Sequence, residues 1–321
     1  MRVVLVRLSA LGDVVHTWPL AAALKESRPE IRLTWVVEES FLPLVEGHPA
    51  VDEVLPAATK RWRRNPFSAR TRREIAALRS RLAALDADLC LDPQGVAKAA
   101  LITRWSRARR RVGLARPWRR ELLSALAYTD TLAVTAPHAH VVRINLELLR
   151  AIGEEPPAEP PAPDGSWLRD LYAPAGQGSN AGAVVLPGTG HPAKRLPAHV
   201  LAAVCRGLAA IGLDVVVAWG PGEREQAEAV ADEAGAAIAP PTSLEELIGL
   251  LGPAAVVIGG DTGPVHLAAA LGTPTVGVFT ATDPRRNRPL GPAVEVVSTV
   301  TPGGAGRSGS ARVAPGGPPD P

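Results

Sequence analysis

The chain has 321 residues, enough for two domains that each bury a core, and 46% of them are hydrophobic. The formal net charge is only +3, yet residues 1–150 hold 25 Lys+Arg against 15 Asp+Glu, while the remainder hold 10 against 17. Cys90 and Cys205 belong to no ligand-spaced cluster, which argues against a disulfide framework or zinc site, and no apolar run approaches the roughly 20 residues of a bilayer span.

The opening RVVLVRL reads as a strand and lacks the charged, apolar and small-residue succession of a secretory signal, so a cytoplasmic location is expected. A helix over residues 14–27 follows, then LTWVVEE as a strand, a helix near Leu42, VDEVLP as a strand, a basic helical segment ending at Ala84, and ADLCLDPQG as a strand and turn. This alternation predicts a parallel sheet covered by helices. The proline-rich EEPPAEPPAPDGS (residues 154–166) reads as a connector. Beyond it, AVVLP, DVVVAWG, AVVIGG and TVGVF are strands separated by helices near 199–211, 223–234 and 243–251. The expected α/β fold has two Rossmann-like, doubly wound parallel-sheet domains, residues 1–160 and 161–300, facing across a cleft. Ligands in such sheets sit beyond the carboxyl ends of the strands. The low-complexity residues 301–321 predict a disordered tail.

The most informative stretch is VVIGGDTGPVHLAAALGTPTVGVF (residues 256–279): strand, glycine turn, helix, strand. Unpaired N–H groups at such a helix start favour a phosphate or diphosphate guest. The bland reading is close strand-to-helix packing, with Asp261 as a cap. Upstream, LPGTGHPAKRLP (residues 186–197) ends a strand in small and hydroxyl residues, Thr189 among them, and sets Lys194 before a helix, where it suits diphosphate oxygens or is simply solvated. Past the next strand, Glu223 or Glu225 could accept from ribose hydroxyls or only begin a helix.

In the first half, SALGDVVHT (residues 9–17) places Asp13 at the end of the first strand, as a helix cap or as a general base for an acceptor hydroxyl. After ADLCL comes Asp92-Pro93-Gln94-Gly95-Val96-Ala97-Lys98, a strand-end turn with a lysine. Asp86-Ala87-Asp88 mimics a metal-binding Asp-x-Asp but leads into a buried strand and lacks partner ligands at suitable spacing, so no metal is expected. Lys60-Arg61-Trp62-Arg63-Arg64 is either a solvated charge run or a grip for an acidic, phosphorylated glycolipid. Arg104, Arg107, Arg109, Arg110, Arg111, Arg116, Arg119 and Arg120 extend this basic surface, and Trp62, Trp105 and Trp118 within it suit a lipid head-group surface at least as well as RNA.

Three motifs in this order, SxxGDxxHT, the Lys194 segment and GGDTGPVHLAAALGTP, resemble glycosyltransferase family 9, the lipopolysaccharide heptosyltransferases, over nearly all of residues 1–300. The basic Arg-Trp-Arg loop is similar to the heptosyltransferase I branch. The resemblance implies a GT-B type, inverting, metal-independent enzyme without cofactor that moves L-glycero-D-manno-heptose from ADP-heptose to the Kdo region of Kdo-lipid A. It would work peripherally on the cytoplasmic face of the inner membrane of a Gram-negative bacterium, against anionic lipid and without nucleic acid. Asp13 would be the catalytic base. Thr189, Lys194, Glu223, Asp261, Thr262, Gly263 and His266 would hold the donor, and Lys60, Arg61, Arg63, Arg64, Gln94 and Lys98 the acceptor. His16 and His266 by themselves read as packing or turn residues. One departure is His140-Val141-Val142-Arg143-Ile144-Asn145, where related sequences place the arginine one position away, which puts an acceptor contact by Arg143 in doubt. The alternatives are a family 9 transferase with another donor or acceptor, and a non-catalytic nucleotide-binding module at the membrane. An oxidoreductase is disfavoured because Ser9 to Asp13 lacks G-x-G-x-x-G spacing.

Overall fold

The computed structural model describes residues 1–136, 138–172, 182–189, 194–300 and 311–313. The chain divides into two compact units, Met1–Pro161 and Ala162–Pro321.

Unit 1 contains the strands β1 (Arg2–Val6), β2 (Arg32–Glu38), β3 (Glu53–Ala57), β4 (Leu89–Asp92), β5 (Arg110–Leu114) and β6 (Asp130–Leu132). All pair in parallel, in the order β3-β2-β1-β4-β5-β6. Strand order therefore reverses between β1 and β4, and a doubly wound sheet opens a crevice at the carboxyl ends of those two strands. Their apolar runs are continuous because both faces are covered: β4 is buried throughout and β1 at all but its first residue.

The single helix expected over 14–27 is two helices, α1 (Leu11–Val15) and α2 (Trp18–Ser27). Pro19 lacks an N–H and is tolerated only in a first turn, so a new helix must begin at Trp18. The helix expected near Leu42 is a 3-10 segment, Glu39–Leu44, containing Pro43. The basic segment before Ala84 divides into α3 (Thr59–Arg64) and α4 (Ala69–Ala84), the latter capped by Ser68, whose Oγ accepts from Thr71 N at 3.0 Å. Next come α5 (Ala97–Trp105), a 3-10 helix at Leu122–Ala127, and α6 (Val141–Leu146).

Unit 2 begins with α7 (Ser166–Tyr172) and carries β7 (Ala183–Leu186), α8 (Ala198–Ala210), β8 (Val215–Val217), α9 (Arg224–Ala234), β9 (Ala237–Ile238), α10 (Leu244–Leu251), β10 (Val256–Gly260), α11 (Gly263–Ala270), β11 (Thr275–Phe279), α12 (Pro284–Asn287), β12 (Val294–Ser298) and β13 (Ala311–Val313). Its sheet runs β13-β12-β11-β10-β7-β8-β9, parallel except for β13, so the same winding recurs with its reversal between β7 and β10. The helix α11 starts at Gly263, three residues earlier than His266, because Pro264 fits a first turn. The tail expectation falls on residues 301–310 and 314–321, outside the described residues, and on Ala311–Val313, which form β13.

Candidate active site

Asp13 lies in α1, directly beyond β1 and at the reversal point of unit 1. Its Oδ2 accepts from Ala10 N at 3.3 Å and meets Arg120 Nη2 at 3.4 Å, with the carboxylate side chain 18% exposed. Behind it is a buried polar cluster that sequence reasoning missed. Arg7 donates from Nε to Thr17 Oγ1 at 3.1 Å and from Nη2 to Asn145 Oδ1 at 3.2 Å. Thr17 Oγ1 in turn donates to Asp13 O at 2.8 Å, and Asn145 Nδ2 donates to His16 O at 3.0 Å. Burial lowers the pKa of the Arg7 guanidinium, with Asp13 opposing and Arg120 reinforcing the shift. The available signal was an arginine inside an otherwise apolar strand run, since buried charge is rare unless paired.

The turn after β4 closes on the same loop. Gln94 is buried and uses both ends of its amide, accepting from Leu8 N at 2.9 Å and donating to Ser9 O at 3.1 Å. Lys98 Nζ donates to Ser9 Oγ at 2.9 Å. Burial holds the Lys98 ammonium below its ordinary pKa, opposed by Glu38 and reinforced by Lys60 and Arg63. Asp92 anchors the turn: it accepts from Gln94 N at 2.8 Å, Gly95 N at 3.0 Å and Tyr128 Oη at 2.7 Å, and burial raises its pKa despite these bonds.

The basic run lies on α3. Arg63 and Arg64 are exposed, and Lys60 Nζ stands 5.2 Å from the Phe41 ring centroid. Arg61 is already engaged, through Nη1 to Glu39 at 2.5 Å and Nη2 to Glu74 at 3.1 Å. Trp62 does not face lipid. It is buried in the core of unit 1 and donates from Nε1 to Glu74 Oε2 at 2.8 Å, because on this short helix its ring is the one large apolar group available to pack inward. Trp105 also packs against that core. Arg143 is buried and donates to Glu147 Oε1 at 2.9 Å. Asp86 and Asp88 both bind Arg2, at the amino edge of the sheet rather than the edge bearing Asp13.

In unit 2, Asp261 follows β10 at the reversal point and collects groups from three other segments. Its Oδ2 accepts from Lys194 Nζ at 2.6 Å and Thr282 Oγ1 at 2.7 Å, while Oδ1 lies 3.2 Å from His266 Nε2. Burial alone would raise the pKa of this carboxyl, but hydrogen bonds from His266, Lys194 and Thr282 outweigh it and hold the group well below the usual carboxylate range. Thr262 caps α11 and Gly263 opens it, so their N–H groups stand at the helix start. Thr189 lies beside Gly260, where an added Cβ would be 3.7 Å from Thr189 Cγ2. Residues 190–193 of the Lys194 motif lie outside the described residues.

Glu223 and Glu225 are distinguished by position. Glu225 is exposed on α9, whereas Glu223 accepts from Gly220 N at 2.9 Å and reaches the end of β7, where a Cβ on Gly188 would overlap its carboxylate. Thr282, Arg7 and Asn145 join the site only through folding. Thr282 has no sequence signal, being one of two threonines in the turn after β11.

Two doubly wound parallel sheets, each with its polar side chains gathered at the reversal of strand order, define a GT-B type glycosyltransferase. The profile of glycosyltransferase family 9 (heptosyltransferase) matches residues 75–308, and the chain belongs to this family. It is 35% identical to lipopolysaccharide heptosyltransferase 1 of Pseudomonas aeruginosa over 286 residues, 88% of this chain and 80% of that one. Identity to lipopolysaccharide heptosyltransferase 1 of Escherichia coli K12 is also 35%, over 290 residues, covering 88% and 89% of the two chains. Among solved structures, the E. coli heptosyltransferase WaaC with ADP superposes with a TM-score of 0.81 at 32% identity, over 94% of each chain.

Proposed function

We propose that this chain is an inverting heptosyltransferase that moves L-glycero-D-manno-heptose from ADP-heptose to the Kdo region of Kdo-lipid A. The observation that carries this reading is the complementary chemistry of the two reversal points: a carboxylate, Asp13, in unit 1, and a cation beside a helix start, Lys194 with Thr262 and Gly263, in unit 2. Similarity to the heptosyltransferase 1 relatives supplies the substrates, and the E. coli WaaC structure with ADP-2-deoxy-2-fluoro heptose, at 32% identity and a TM-score of 0.76, supports the donor.

In this reading the acceptor hydroxyl loses its proton to Asp13 as its oxygen attacks the anomeric carbon. The bond from that carbon to the ADP oxygen breaks from the opposite face, which inverts the configuration. Lys194 and the N–H groups of Thr262 and Gly263 stabilise the charge on departing ADP without calling on a metal. Asp261 keeps Lys194 in place and faces the donor sugar, with Thr189 and His266 beside it, while Glu223 receives the ribose. Lys60, Arg63, Arg64 and Lys98 attract the acidic acceptor. Gln94 acts through the Leu8–Ser9 backbone, and Arg61 through its acidic partners. No helix among the described residues is long and apolar enough to cross a membrane, and the basic unit 1 suits a peripheral position on the cytoplasmic face of the inner membrane.

The test is ADP release from ADP-heptose with and without Kdo-lipid A, for wild type and Asp13→Asn. Acceptor-dependent release that falls by roughly 100-fold or more in the variant, with donor affinity retained, is expected. Failure to bind ADP-heptose would overturn the donor assignment, and an undiminished rate in Asp13→Asn would overturn the base.

A further inference from the structure

Unit 1 exposes large apolar side chains on the edge that carries Asp13. Leu122, Leu123 and Leu126, on the 3-10 helix, are 56%, 72% and 82% exposed, and Leu101 on α5 is 51% exposed. They adjoin one another. Ala97 N donates to Glu121 Oε2 at 2.8 Å, which sets the residue before Leu122 against the first turn of α5, and Leu101 lies one turn beyond Ala97 on the same helix face. Farther along the edge, Phe67 between α3 and α4 is 88% exposed. Single exposed leucines need no explanation, but three within five positions beside a fourth form a patch of the kind that marks an interaction surface.

The charge around the patch selects the partner. Arg116 and Arg120 precede the leucines, Arg104 follows Leu101 along the exposed face of α5, and Arg63 and Arg64 precede Phe67, all of them exposed. Arg104 and Arg116 hold no ion pair among the described residues. Apolar tips within a cationic rim fit the boundary between phosphate head groups and acyl chains of an anionic bilayer. A second copy of the chain would bring the same positive rim against itself.

We propose that Leu122, Leu123 and Leu126, with Leu101, insert into the head-group boundary of an anionic membrane and seat unit 1 there with Asp13 facing the lipid-borne acceptor. The proposal rests on the membrane reading above for its biological setting, while the surface itself is argued from exposure and charge. The patch is tied to the site through the backbone. Glu121 N donates to Gly95 O at 3.0 Å, and an added Cβ at Gly95, whose φ is +65°, would come within 3.2 Å of Arg119 Cα. Arg120, two residues before Leu122, reaches Asp13. Anchoring the leucines therefore fixes the height of the acceptor turn and the base above the lipid surface.

Co-sedimentation with phosphatidylglycerol-containing vesicles tests this, using wild type, the double variant Leu123→Ser/Leu126→Ser, and Ile211→Ser, which alters a 74% exposed residue of unit 2 as a control. Because the altered leucines are exposed, all three proteins should have the same circular dichroism. The double variant should bind vesicles roughly tenfold or more weakly, with the control unchanged. Its turnover should fall on vesicle-embedded Kdo-lipid A but not on a deacylated acceptor in solution. Equal vesicle binding by the double variant and wild type would overturn the proposal, as would an equal loss in Ile211→Ser. Sedimentation velocity showing a wild-type dimer that the leucine changes dissolve would assign the patch to self-association instead. The vesicle arm requires no heptose transfer, so it stands or falls separately from the reaction proposed above.

Discussion

Arg7 Nη2 donates to Asn145 Oδ1 at 3.2 Å, joining residues 138 positions apart inside unit 1. Through Thr17 and His16 this pair holds the backbone of α1 from behind, so the position of Asp13 depends on two buried side chains.

Removing the amide tests that dependence. Asn145→Ala takes a hydrogen-bond partner from a buried guanidinium and should cost about 2 kcal/mol in urea unfolding. With the protein still folded, kcat should fall more than the acceptor KM rises if Asp13 is the base proposed above, because Asp13 is displaced while the cations proposed for the acceptor remain. Asn145→Asp, which keeps an acceptor for Arg7, should recover part of the rate. Loss of stability with kcat intact would show that the cluster is structural only.

Gln94 makes a parallel prediction for the neighbouring turn. Gln94→Ala leaves Leu8 N and Ser9 O without their partners and should destabilise unit 1 by about 1–3 kcal/mol. Donor affinity, measured by calorimetry with ADP, should be unchanged, since the groups proposed to hold the donor belong to unit 2.

At Gly188 only a hydrogen fits against the Glu223 carboxylate. Gly188→Ala should displace that carboxylate, which sits at the end of a flexible side chain, with little effect on thermal stability. If Glu223 receives the ribose, donor KM should rise roughly tenfold, about 1.4 kcal/mol, with kcat nearly constant. Glu225→Gln, on the exposed face of α9, should leave donor KM as it was.

Asp261 gives a pH dependence. Its folded pKa lies below the unfolded value of about 3.9, so the folded state binds fewer protons there than the unfolded state. The resulting stability is complete above about pH 5 and is lost as pH falls through the unfolded value toward the folded one. Asp261→Asn should lower the melting temperature at neutral pH and flatten its decline below about pH 4. Parallel acid limbs in the two proteins would show that the carboxylate contributes no such linkage.

Much of this architecture was legible in the sequence because buried parallel strands are written as apolar runs. RVVLVRL, LTWVVEE, AVVIGG and TVGVF all appear as strands in the structure. What escaped were strands such as β5, which begins with Arg110 and Arg111, β6, only three residues long, and the two-residue β9. In these, partner strands supply the order that composition does not. The candidate site divides similarly. Asp13, Lys194 and Asp261 announce themselves in the turns that follow strands, whereas Asn145 and Thr282 become neighbours of those groups only when distant segments meet, and Arg7, though close to Asp13 in sequence, shows its role only through its bond to Asn145. The tryptophans of the basic region illustrate the reverse: sequence proximity to arginines suggested a lipid-facing Trp62, and packing turned it inward.

With Arg61 held between Glu39 and Glu74, the KRWRR run offers an incoming anion three cations, Lys60, Arg63 and Arg64, rather than four. The fourth is neutralised internally and works as a strut between the β2 end and α4. Acceptor affinity should accordingly weaken with added salt less steeply than the spelling of the run implies, since counterions compete only for charge that is free to be shared.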